Sequence, residues 1–383
     1  MHTRYRLAGG EDVVVDQERK LLSSGGHDVE LFTAENPDGT KAAGRLLMSA
    51  PWNPAAARQV VAAARAHRAD VVHVHNTWFA LSPAVLPALG RVGFPTVVTL
   101  HNYRTTCANA VLLRDGRPCY DCVGHSPLPG VVHRCYRGSA AVSAVAAATI
   151  TVGRRSRAWE EHADALVVLS PHARDLFVRS GLPAGRMHVV PHVMADVPLR
   201  TQPPSQSTTC LYVGRLSPEK GVAGLLRDWQ LARPAGMTLD VIGTGPEEQR
   251  LRNAAGEGVR LLGHLGPNEV LERVRRARAL LVPSLWDEMF GRVVLEAFAV
   301  GTPVLAADRG GPADLLAAAG LPDWLVPDGG WAGALTELAS GTLDRSADAA
   351  SFAVRRHYDS ELTPERGLLR LEAVYDAAQV RRG

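Results

Sequence analysis

Short apolar runs with the composition of buried strands alternate with amphipathic segments along most of the chain. In the first half, four strands are predicted at residues 28–33, 70–76, 94–102 and 163–170. Helical segments separate them, for example at residues 53–67 and 81–92, and the same alternation resumes after residue 210. Strands joined through helices run parallel and carry helices on both faces of their sheet. The pattern therefore predicts an α/β protein whose sheets are parallel.

Two domains are expected from the length of the chain and from one change in its composition. A chain of 383 residues has room for two domains of ordinary size. Residues 197–209 are rich in proline, serine and glutamine and are predicted to be the linker. The first domain then covers residues 1–196 and the second covers residues 210–360, while residues 361–383 are predicted to be a helical segment that packs back on the first domain.

The chain reaches a glycine pair, Gly9 and Gly10, almost at once. A nucleotide-binding α/β domain places a buried strand before its first glycine turn, but few residues precede the pair here. The first strand is therefore very short or missing, or the true start lies upstream. A functional turn would let the backbone of Gly9 and Gly10 approach a phosphate or a sugar, and the alternative is an ordinary turn.

Composition and charge exclude several classes of protein. The formal net charge of +3 gives no reason to expect a nucleic-acid partner. No signal peptide is visible, and an odd number of cysteines, five, argues for a reducing compartment such as the cytoplasm. The apolar run at residues 139–152 is too short to span a bilayer. We expect it to pack inside the domain, with a weak membrane-surface contact through Arg154, Arg155 and Arg157 as the alternative.

Residues 283–311 contain two glutamates, Glu288 and Glu296, with Phe290, Gly291 and the first part of an apolar helical run between them. We expect Glu288 in a strand-to-helix loop and Glu296 about two turns inside the helix. The amides at the start of such a helix favour a phosphate, and carboxylates accept strong hydrogen bonds from sugar hydroxyls. Together these groups describe a site for a sugar nucleotide. The alternative is a pair of exposed helix acids.

Further candidate groups stand at the carboxyl ends of predicted strands, where ligands bind in open α/β sheets. His101 has such a position in the first half, and His75 has a similar one with weaker support. Arg215 and Lys220 flank a turn after the first strand of the second domain. Two cations there suit a diphosphate, and the alternative is solvated charges beside a turn.

Between residues 103 and 137 the alternation stops and four cysteines follow. They are Cys107, Cys119, Cys122 and Cys135, with a central C-x2-C spacing. A long irregular insertion in a compact domain usually has a function or is held together by a cross-link or a metal ion. Four thiols can bind a structural zinc ion. His125 and His133 offer other ligands, and four reduced cysteines or a redox pair are the alternatives.

Several segments resemble a known family. VGRLSPEKG, VIGTGPE, LLGHL and VPSLWDEMFGRVVLEAFAVGTPVLA are similar to the nucleotide-binding domain of family 4 glycosyltransferases. GGED, DVVHVHN, TLHNYR and DALVVLS occur in the order expected for the first domain, so the likeness covers residues 4–375. The resemblance implies the GT-B architecture, in which two Rossmann-like domains face a cleft. It also implies transfer of a sugar from a nucleotide donor with retention of the anomeric configuration.

The resemblance further implies roles for single residues. Glu288 and Glu296 match the E-x7-E motif, whose first acid contacts the donor sugar and whose second holds the ribose. Arg215 and Lys220 match the pair that neutralises the diphosphate, and His101 matches a histidine near the reacting carbon. Donor contacts are also implied for Gly9, Gly10, Gly214, Gly243, His264, Leu265, Met289, Phe290 and Gly291.

The chemistry implied by the resemblance is expected to need no metal ion. Two cations and a helix terminus would stabilise the charge of the leaving diphosphate. The implied route is front-face attack, in which the donor phosphate helps to take the acceptor proton. The donor would be a UDP- or GDP-linked hexose or N-acetylhexosamine, and the acceptor a glycan, a lipid-linked molecule or a small molecule.

Three other functions compete with this prediction. An epimerase of hexose nucleotides shares the architecture and would invert C2 of the donor without an acceptor. A non-catalytic binder of sugar nucleotides would bind without turnover. A dehydrogenase is disfavoured, because Glu248 stands where the dinucleotide pattern that Gly243 and Gly245 begin would need its last glycine.

Overall fold

The structure is a computed structural model that describes residues 1–4, 10–35, 44, 47–341 and 344–383. The chain forms two compact units. The first unit comprises Met1–Arg114, Cys119–Pro191 and Gly367–Gly383, and the second comprises Asp115–Pro118 and His192–Arg366.

The elements alternate along the chain as the apolar pattern predicts. The strands are β1 (His2–Arg4), β2 (Thr33–Glu35), β3 (Val72–Val74), β4 (Thr96–Thr99), β5 (Leu113–Arg114), β6 (Arg117–Pro118), β7 (Ala165–Val168), β8 (Met187–Val189), β9 (Thr209–Val213), β10 (Thr238–Ile242), β11 (Val259–Gly263), β12 (Ala279–Val282), β13 (Val304–Ala307) and β14 (Leu325–Val326). The helices are α1 (Gly10–Ser24), α2 (Pro54–His67), α3 (Val85–Arg91), α4 (Leu128–Val132), α5 (Ala140–Arg155), α6 (Ala158–His162), α7 (Pro171–Arg179), α8 (Val222–Ala232), α9 (Glu248–Ala254), α10 (Pro267–Arg276), α11 (Arg292–Val300), α12 (Gly310–Ala318), α13 (Trp331–Ser340), α14 (Asp344–Glu361) and α15 (Pro364–Arg382).

The first unit contains a parallel sheet with the strand order β3-β4-β7-β8. Strands β1 and β2 pair in parallel with each other, and His2 forms a parallel bridge to Asn76 just beyond β3. The first strand is therefore present but only three residues long. The predicted bounds of the strand at residues 28–33 are wrong. That strand is β2, and it begins only at Thr33 because its partner β1 offers three residues for pairing.

The second unit contains a six-stranded parallel sheet with the order β11-β10-β9-β12-β13-β14. The chain proceeds from β9 to β10 and β11 on one side, and then crosses back to β12 on the other side of β9. This is the order of a doubly wound sheet, and the reversal makes the border between β9 and β12 a topological switch point. The predicted α/β class with parallel sheets is confirmed.

Local sequence explains where several elements begin. Asn53 accepts a hydrogen bond from the amide of Ala56 at the start of α2, and Ser170 caps α7 in the same way. Each such cap stabilises a helix by about 1 kcal/mol. Strands β4, β7, β12 and β13 are buried at every position, which explains why their sequences are continuous apolar runs.

Helix α15 packs on the first unit, as predicted for the C-terminal segment. Leu371, Val374 and Ala378 join a buried cluster that includes Val97 of β4 and Val167 of β7. Full burial of a leucine or valine side chain stabilises a protein by about 1.5–3 kcal/mol. The C-terminal helix is therefore part of the core of the first unit.

The apolar run at residues 139–152 forms most of α5, which buries Ala146 and Ile150. Arg154 near its end donates hydrogen bonds to the carbonyl oxygens of His125 and Cys122. The Arg154 guanidinium is thus hydrogen-bonded inside the first unit. Of the three arginines proposed for a membrane-surface contact, Arg155 and Arg157 remain candidates. Throughout the described ranges, every helix is too short or too polar to cross a membrane.

Residues 197–209, the predicted linker, lie within the second unit. The buried guanidinium of Arg278 donates to the carbonyl oxygens of Ser205 and Ser207, both at 3.1 Å. Arg200 donates to the carbonyl oxygen of Ala277, also at 3.1 Å. These charge-assisted hydrogen bonds hold the segment along the second unit.

Candidate functional site

Lys220 and Glu288 meet at the switch point of the second sheet. Lys220 is the last residue of a 3₁₀ turn, Pro218–Lys220, that follows β9. Glu288 lies in the loop between β12 and α11. The Lys220 ammonium donates to the Glu288 carboxylate and lies 5.5 Å from the centre of the Trp286 ring. The structure therefore holds a cation and a carboxylate together where open α/β sheets bind ligands.

The environment of this ion pair is largely dry. The Glu288 side chain is 5% exposed and that of Lys220 is 26% exposed. Burial lowers the pKa of Lys220 to about 8, although the nearby Glu219 carboxylate opposes that shift. Lys220 thus remains mostly charged at neutral pH. A buried carboxylate is costly without a partner, so the two groups depend on each other in this state.

Two glycines allow the loops of neighbouring strands to pack backbone against backbone. A Cβ atom on Gly221 would lie 1.9 Å from the carbonyl oxygen of Pro283, and one on Gly243 would lie 1.9 Å from that of Gly214. Both glycines also have positive φ angles, +73° and +135°, which side chains disfavour. The loops after β9, β10 and β12 are therefore packed too closely for any other residue at these two positions.

Gly310 and Gly311 at the start of α12 were not predicted to belong to the site. A Cβ atom on Gly310 would lie 2.7 Å from the amide nitrogen of Glu288, and one on Gly311 would lie 2.6 Å from the carbonyl oxygen of Met289. The amide of Gly311 donates to the carbonyl oxygen of Glu288 at 2.6 Å. The start of α12 thus braces the Glu288 loop. The glycine pair follows the buried strand β13 closely, and this pattern in the sequence could have indicated the close backbone approach.

Helix α11 begins at Arg292 after Gly291, which confirms the predicted helix. Met289 and Phe290 are buried, at 4% and 3% exposed, so both residues anchor the loop that leads into the helix. Glu296 is the fifth residue of α11, about 6 Å along the axis from Arg292. The predicted depth of two turns is wrong, because the helix starts later than expected. Burial raises the pKa of Glu296, and Arg292 opposes that shift.

The remaining predicted donor contacts of the second unit follow the carboxyl ends of its strands. Gly214 and Arg215 come directly after β9, and His264 and Leu265 come directly after β11. Arg215 is exposed, and its carbonyl oxygen accepts a hydrogen bond from the Tyr212 hydroxyl at 2.9 Å. Because β9, β10 and β11 are parallel neighbours, these residues share one edge of the sheet with Lys220.

In the first unit, His101 follows β4 and belongs to a histidine cluster. Its Nε2 atom lies 3.0 Å from Nδ1 of His75. Oε1 of Glu18 lies 3.3 Å from Nε2 of His75 and 3.0 Å from Nδ1 of His73. Sequence reasoning missed Glu18 and His73. The alternate spacing of the two histidines in DVVHVHN was the signal, because alternate residues of a strand face the same side.

Gly10 is the first residue of α1, whereas Gly9 lies outside the described residues. The residue after Gly10, Glu11, accepts a hydrogen bond from the side chain of Asn102 at 3.4 Å. Asn102 is adjacent to His101, so the start of α1 lies close to the end of β4. The donor contacts expected of Gly9 and Gly10 stay predictions.

The four cysteines of the insertion surround one small cavity. Cys107, Cys119, Cys122 and Cys135 all line a space of about 20 Å³, and all four are free thiols. Burial, and then the neighbouring Cys107, raise the pKa of Cys122 to about 11. In the described part of the chain, the group of three candidate ligands whose atoms all lie within 4.8 Å of one another consists of Glu18, His73 and His75. No three of these four described sulfur atoms therefore all lie within 4.8 Å of one another, whereas the sulfur atoms of a tetrahedral zinc–thiolate centre are all about 3.8 Å apart.

If these thiols bind a structural zinc ion, the purified protein should carry about one zinc ion per chain, and the sulfur atoms would have to move closer together on binding. Elemental analysis measures the content, and chelation should lower the melting temperature without a direct effect on turnover. Replacing Cys119 and Cys122 with serine should remove the metal. Cys210→Ala is the matched control, because Cys210 lies buried in β9. Metal-free protein of full stability would leave four plain thiols as the correct interpretation.

Comparison with known proteins identifies the two halves of the chain. Residues 8–194 match the family model for glycosyltransferase family 4, and residues 207–342 match the model for glycosyl transferases group 1. The chain is 30% identical over 353 residues to the D-inositol 3-phosphate glycosyltransferase of Acidothermus cellulolyticus, which covers 79% of this chain and 71% of that protein. It is 39% identical over 108 residues to the glycogen synthase of Mycobacterium tuberculosis, and this match spans 26% of either chain.

A solved structure supports the fold over the full length. The structure of Anabaena Alr3699/HepE in complex with UDP has a TM-score of 0.65 to this chain, covers 97% of each chain and is 17% identical. At that identity the likeness shows the fold alone. The family relationship follows from the two family models and from the relative in Acidothermus cellulolyticus. The chain belongs to the family 4 glycosyltransferases and has their GT-B fold.

Proposed function

We propose that the protein transfers a sugar from a UDP- or GDP-linked donor to a hydroxyl group of an acceptor, with retention of the anomeric configuration. The observation that carries the proposal is the Lys220–Glu288 ion pair at the switch point of a doubly wound sheet. The acceptor is a glycan, a lipid-linked molecule or a small molecule. Family membership and the UDP bound in the Anabaena structure support a nucleotide donor.

The cations of the second unit suit the diphosphate of such a donor. Lys220 holds its charge next to a carboxylate, and incoming phosphate oxygens would compete with Glu288 for its ammonium protons. Arg215 is exposed at the same sheet edge and provides a second cation. The start of α11 adds the partial positive charge of a nine-residue helix. These groups would stabilise the charge that grows on the leaving diphosphate.

The two acids suit the hydroxyl groups of the donor. Glu288 would accept hydrogen bonds from the transferred sugar, and Glu296 from the ribose. As the donor binds, the Lys220 ammonium would turn from the Glu288 carboxylate to the diphosphate. The carboxylate oxygens of Glu288 would then be free to accept hydrogen bonds from sugar hydroxyls. For the first unit, the family resemblance implies that His101 acts near the reacting carbon.

A donor panel tests the proposed activity. The purified chain is incubated with UDP- and GDP-linked sugars, with and without candidate acceptors, and nucleotide release is measured. Release that depends on an acceptor supports the proposal. Inversion at C2 of the donor without an acceptor would identify an epimerase, and binding without any release would identify a non-catalytic binder. Either result would refute the proposed transfer.

Retention predicts the product stereochemistry. An α-linked donor sugar should give an α-linked product, because front-face attack leaves the anomeric configuration unchanged. The coupling of the new anomeric proton in the NMR spectrum decides the outcome. A β-linked product from an α-donor would contradict the retaining mechanism.

The two acids should respond differently to substitution. Glu296→Gln should weaken the binding of bare UDP or GDP about tenfold, because a charge-assisted hydrogen bond contributes about 1.5 kcal/mol. Glu288→Gln should leave that affinity equal or higher, because it releases Lys220 for the diphosphate, but it should lower turnover. Calorimetric titration of the nucleotides into both variants measures the difference. If Glu288→Gln binds the bare nucleotides more weakly while Glu296→Gln binds them as the wild type does, the proposed orientation of the donor is reversed.

A further inference from the structure

We infer that Glu18 and His75 position His101 for the transfer reaction by holding its imidazole in one tautomer, an inference that rests on the proposed function. The three side chains form a chain of contacts within the first unit. Oε1 of Glu18 lies 3.3 Å from Nε2 of His75, and Nδ1 of His75 lies 3.0 Å from Nε2 of His101. Glu18 comes from α1, and the histidines follow β3 and β4.

The charge states of the first two groups determine which atoms carry protons. Burial lowers the pKa of His75 to about 4, although Glu18 opposes the shift. Burial also raises the pKa of Glu18, but His75 and His73 outweigh it and hold that pKa well below its ordinary value. At neutral pH, Glu18 is therefore a carboxylate and His75 is a neutral imidazole with a single N–H group.

The single proton of His75 must lie on Nε2. An unprotonated Nε2 would direct its lone pair at the Glu18 carboxylate, which would be repulsive, whereas an N–H group donates to it. Nδ1 of His75 is then an acceptor, so the Nε2 atom of His101 must be the donor between the two rings. When His101 is neutral, its Nδ1 atom has the lone pair of an acceptor. The carboxylate thus sets the tautomer of His101 through His75.

A second set of contacts holds Glu18 in place. Nδ1 of His73 lies 3.0 Å from Oε1 of Glu18 and 2.9 Å from the Tyr375 hydroxyl. Nε2 of His73 lies 2.7 Å from Oγ1 of Thr99. The side chains of Glu18, His73 and His75 are only 15%, 10% and 6% exposed. This packing restrains the Glu18 carboxylate. A group can orient a neighbouring side chain only if its own position is fixed.

A metal ion bound by Glu18, His73 and His75 is the competing interpretation, because their ligand atoms lie within 4.8 Å of one another. A metal would take the lone pair of Nε2 of His75 and shift its proton to Nδ1. His75 would then donate to Nε2 of His101, which would have to accept. The two interpretations therefore predict opposite tautomers for His101.

Nitrogen NMR of the whole chain with isotope-labelled histidine distinguishes them, because ring nitrogens with and without a proton differ in chemical shift. The chain has 14 histidines, and the spectrum of a His101→Gln variant identifies the His101 signals by their loss. We expect His101 and His75 to be protonated on Nε2 at neutral pH, and we expect elemental analysis of the variant with Cys119 and Cys122 replaced by serine to find no metal. His101 protonated on Nδ1, or an ion bound by Glu18, would overturn the inference.

Variants of Glu18 test the link to catalysis. Glu18→Leu removes the acceptor, so the tautomers of His75 and His101 should become mixed and kcat should fall about tenfold to a hundredfold, a loss of the size seen when the partner that orients a metal-ligating histidine is removed. KM for the donor should change little. Glu18→Gln keeps an acceptor oxygen and should retain the tautomer and most of kcat. Asp16→Leu on the exposed face of α1 is the matched control.

Each outcome bears on a separate statement. An unchanged tautomer or an unchanged kcat in Glu18→Leu would refute the positioning role. If that variant does not fold, the wild-type spectrum together with the Glu18→Gln variant decides. If no donor gives transfer while His101 has the inferred tautomer, the proposed function fails and the arrangement of protons stands.

Discussion

Replacing Lys220 with alanine is expected to lower kcat/KM for the donor by at least about tenfold, because a charge-assisted contact to the diphosphate contributes roughly 1.5–3 kcal/mol. Arg215→Ala should have a loss of similar size. Both residues follow β9 at the switch point of the second sheet. Steady-state kinetics with the donor identified by the panel measures both effects. The exposed Arg227 of α8 provides the matched control, and Arg227→Ala should retain wild-type turnover.

Loss of stability must be separated from loss of catalysis in the Lys220 variant. Lys220→Ala leaves the buried carboxylate of Glu288 without its ammonium partner. The free energy of unfolding should fall by about 3 kcal/mol at most, because Lys220 is partly exposed. The double variant Lys220→Met with Glu288→Gln removes both charges, so it should recover the melting temperature but not the turnover. Near-wild-type turnover of both Lys220→Ala and Arg215→Ala would refute the diphosphate assignment.

Replacing Gly243 with alanine is expected to lower the free energy of unfolding by about 3 kcal/mol or more, since overpacking and an unfavourable φ angle each cost about 1–3 kcal/mol. The new Cβ atom would lie 1.9 Å from the carbonyl oxygen of Gly214, which cannot remain in place. The loops after β9 and β10 would separate, so UDP and GDP should bind more weakly. Denaturant unfolding and calorimetric titration measure the two effects.

Gly333→Ala is the control for this substitution. Gly333 lies inside α13, and a Cβ atom there meets nothing within 4 Å. Alanine should therefore leave nucleotide binding unchanged and raise stability by up to about 1 kcal/mol, because it is the better helix former. A Gly243→Ala protein that unfolds and binds like the wild type would show that the two loops do not pack as closely as the structure indicates.

The predictions that succeeded concern features that neighbouring residues determine. The continuous apolar runs of β4, β7, β12 and β13 follow from burial on both faces, and the predicted helix at residues 53–67 begins where the Asn53 side chain accepts a hydrogen bond from its first turn. Gly291 and Gly301 flank α11 for a different local reason, because both adopt positive φ angles, +86° and +76°, that favour glycine. The error in the depth of Glu296 is also local, since sequence patterns locate the end of an element less well than its existence.

The strand order of the second sheet could not be predicted from the alternation of strands and helices. Alternation predicts parallel strands but leaves open which strands are neighbours. The order places β12 beside β9, and this brings together Lys220 and Glu288, which are 68 positions apart. The sequence alone indicated a cation and an acid of suitable chemistry. Their direct pairing depends on the crossover to the other side of β9.

The amino-acid sequence by itself determined the α/β class, the existence of the main helices and the chemical types of the residues at the strand ends, because periodicity, caps and glycine turns act over a few neighbouring residues. The tertiary structure decided the pairing of Lys220 with Glu288 and the chain of contacts from Glu18 through His75 to His101. The physical reason is that these contacts join separate elements. Their existence depends on strand order, side-chain direction and burial, which arise only when the elements pack.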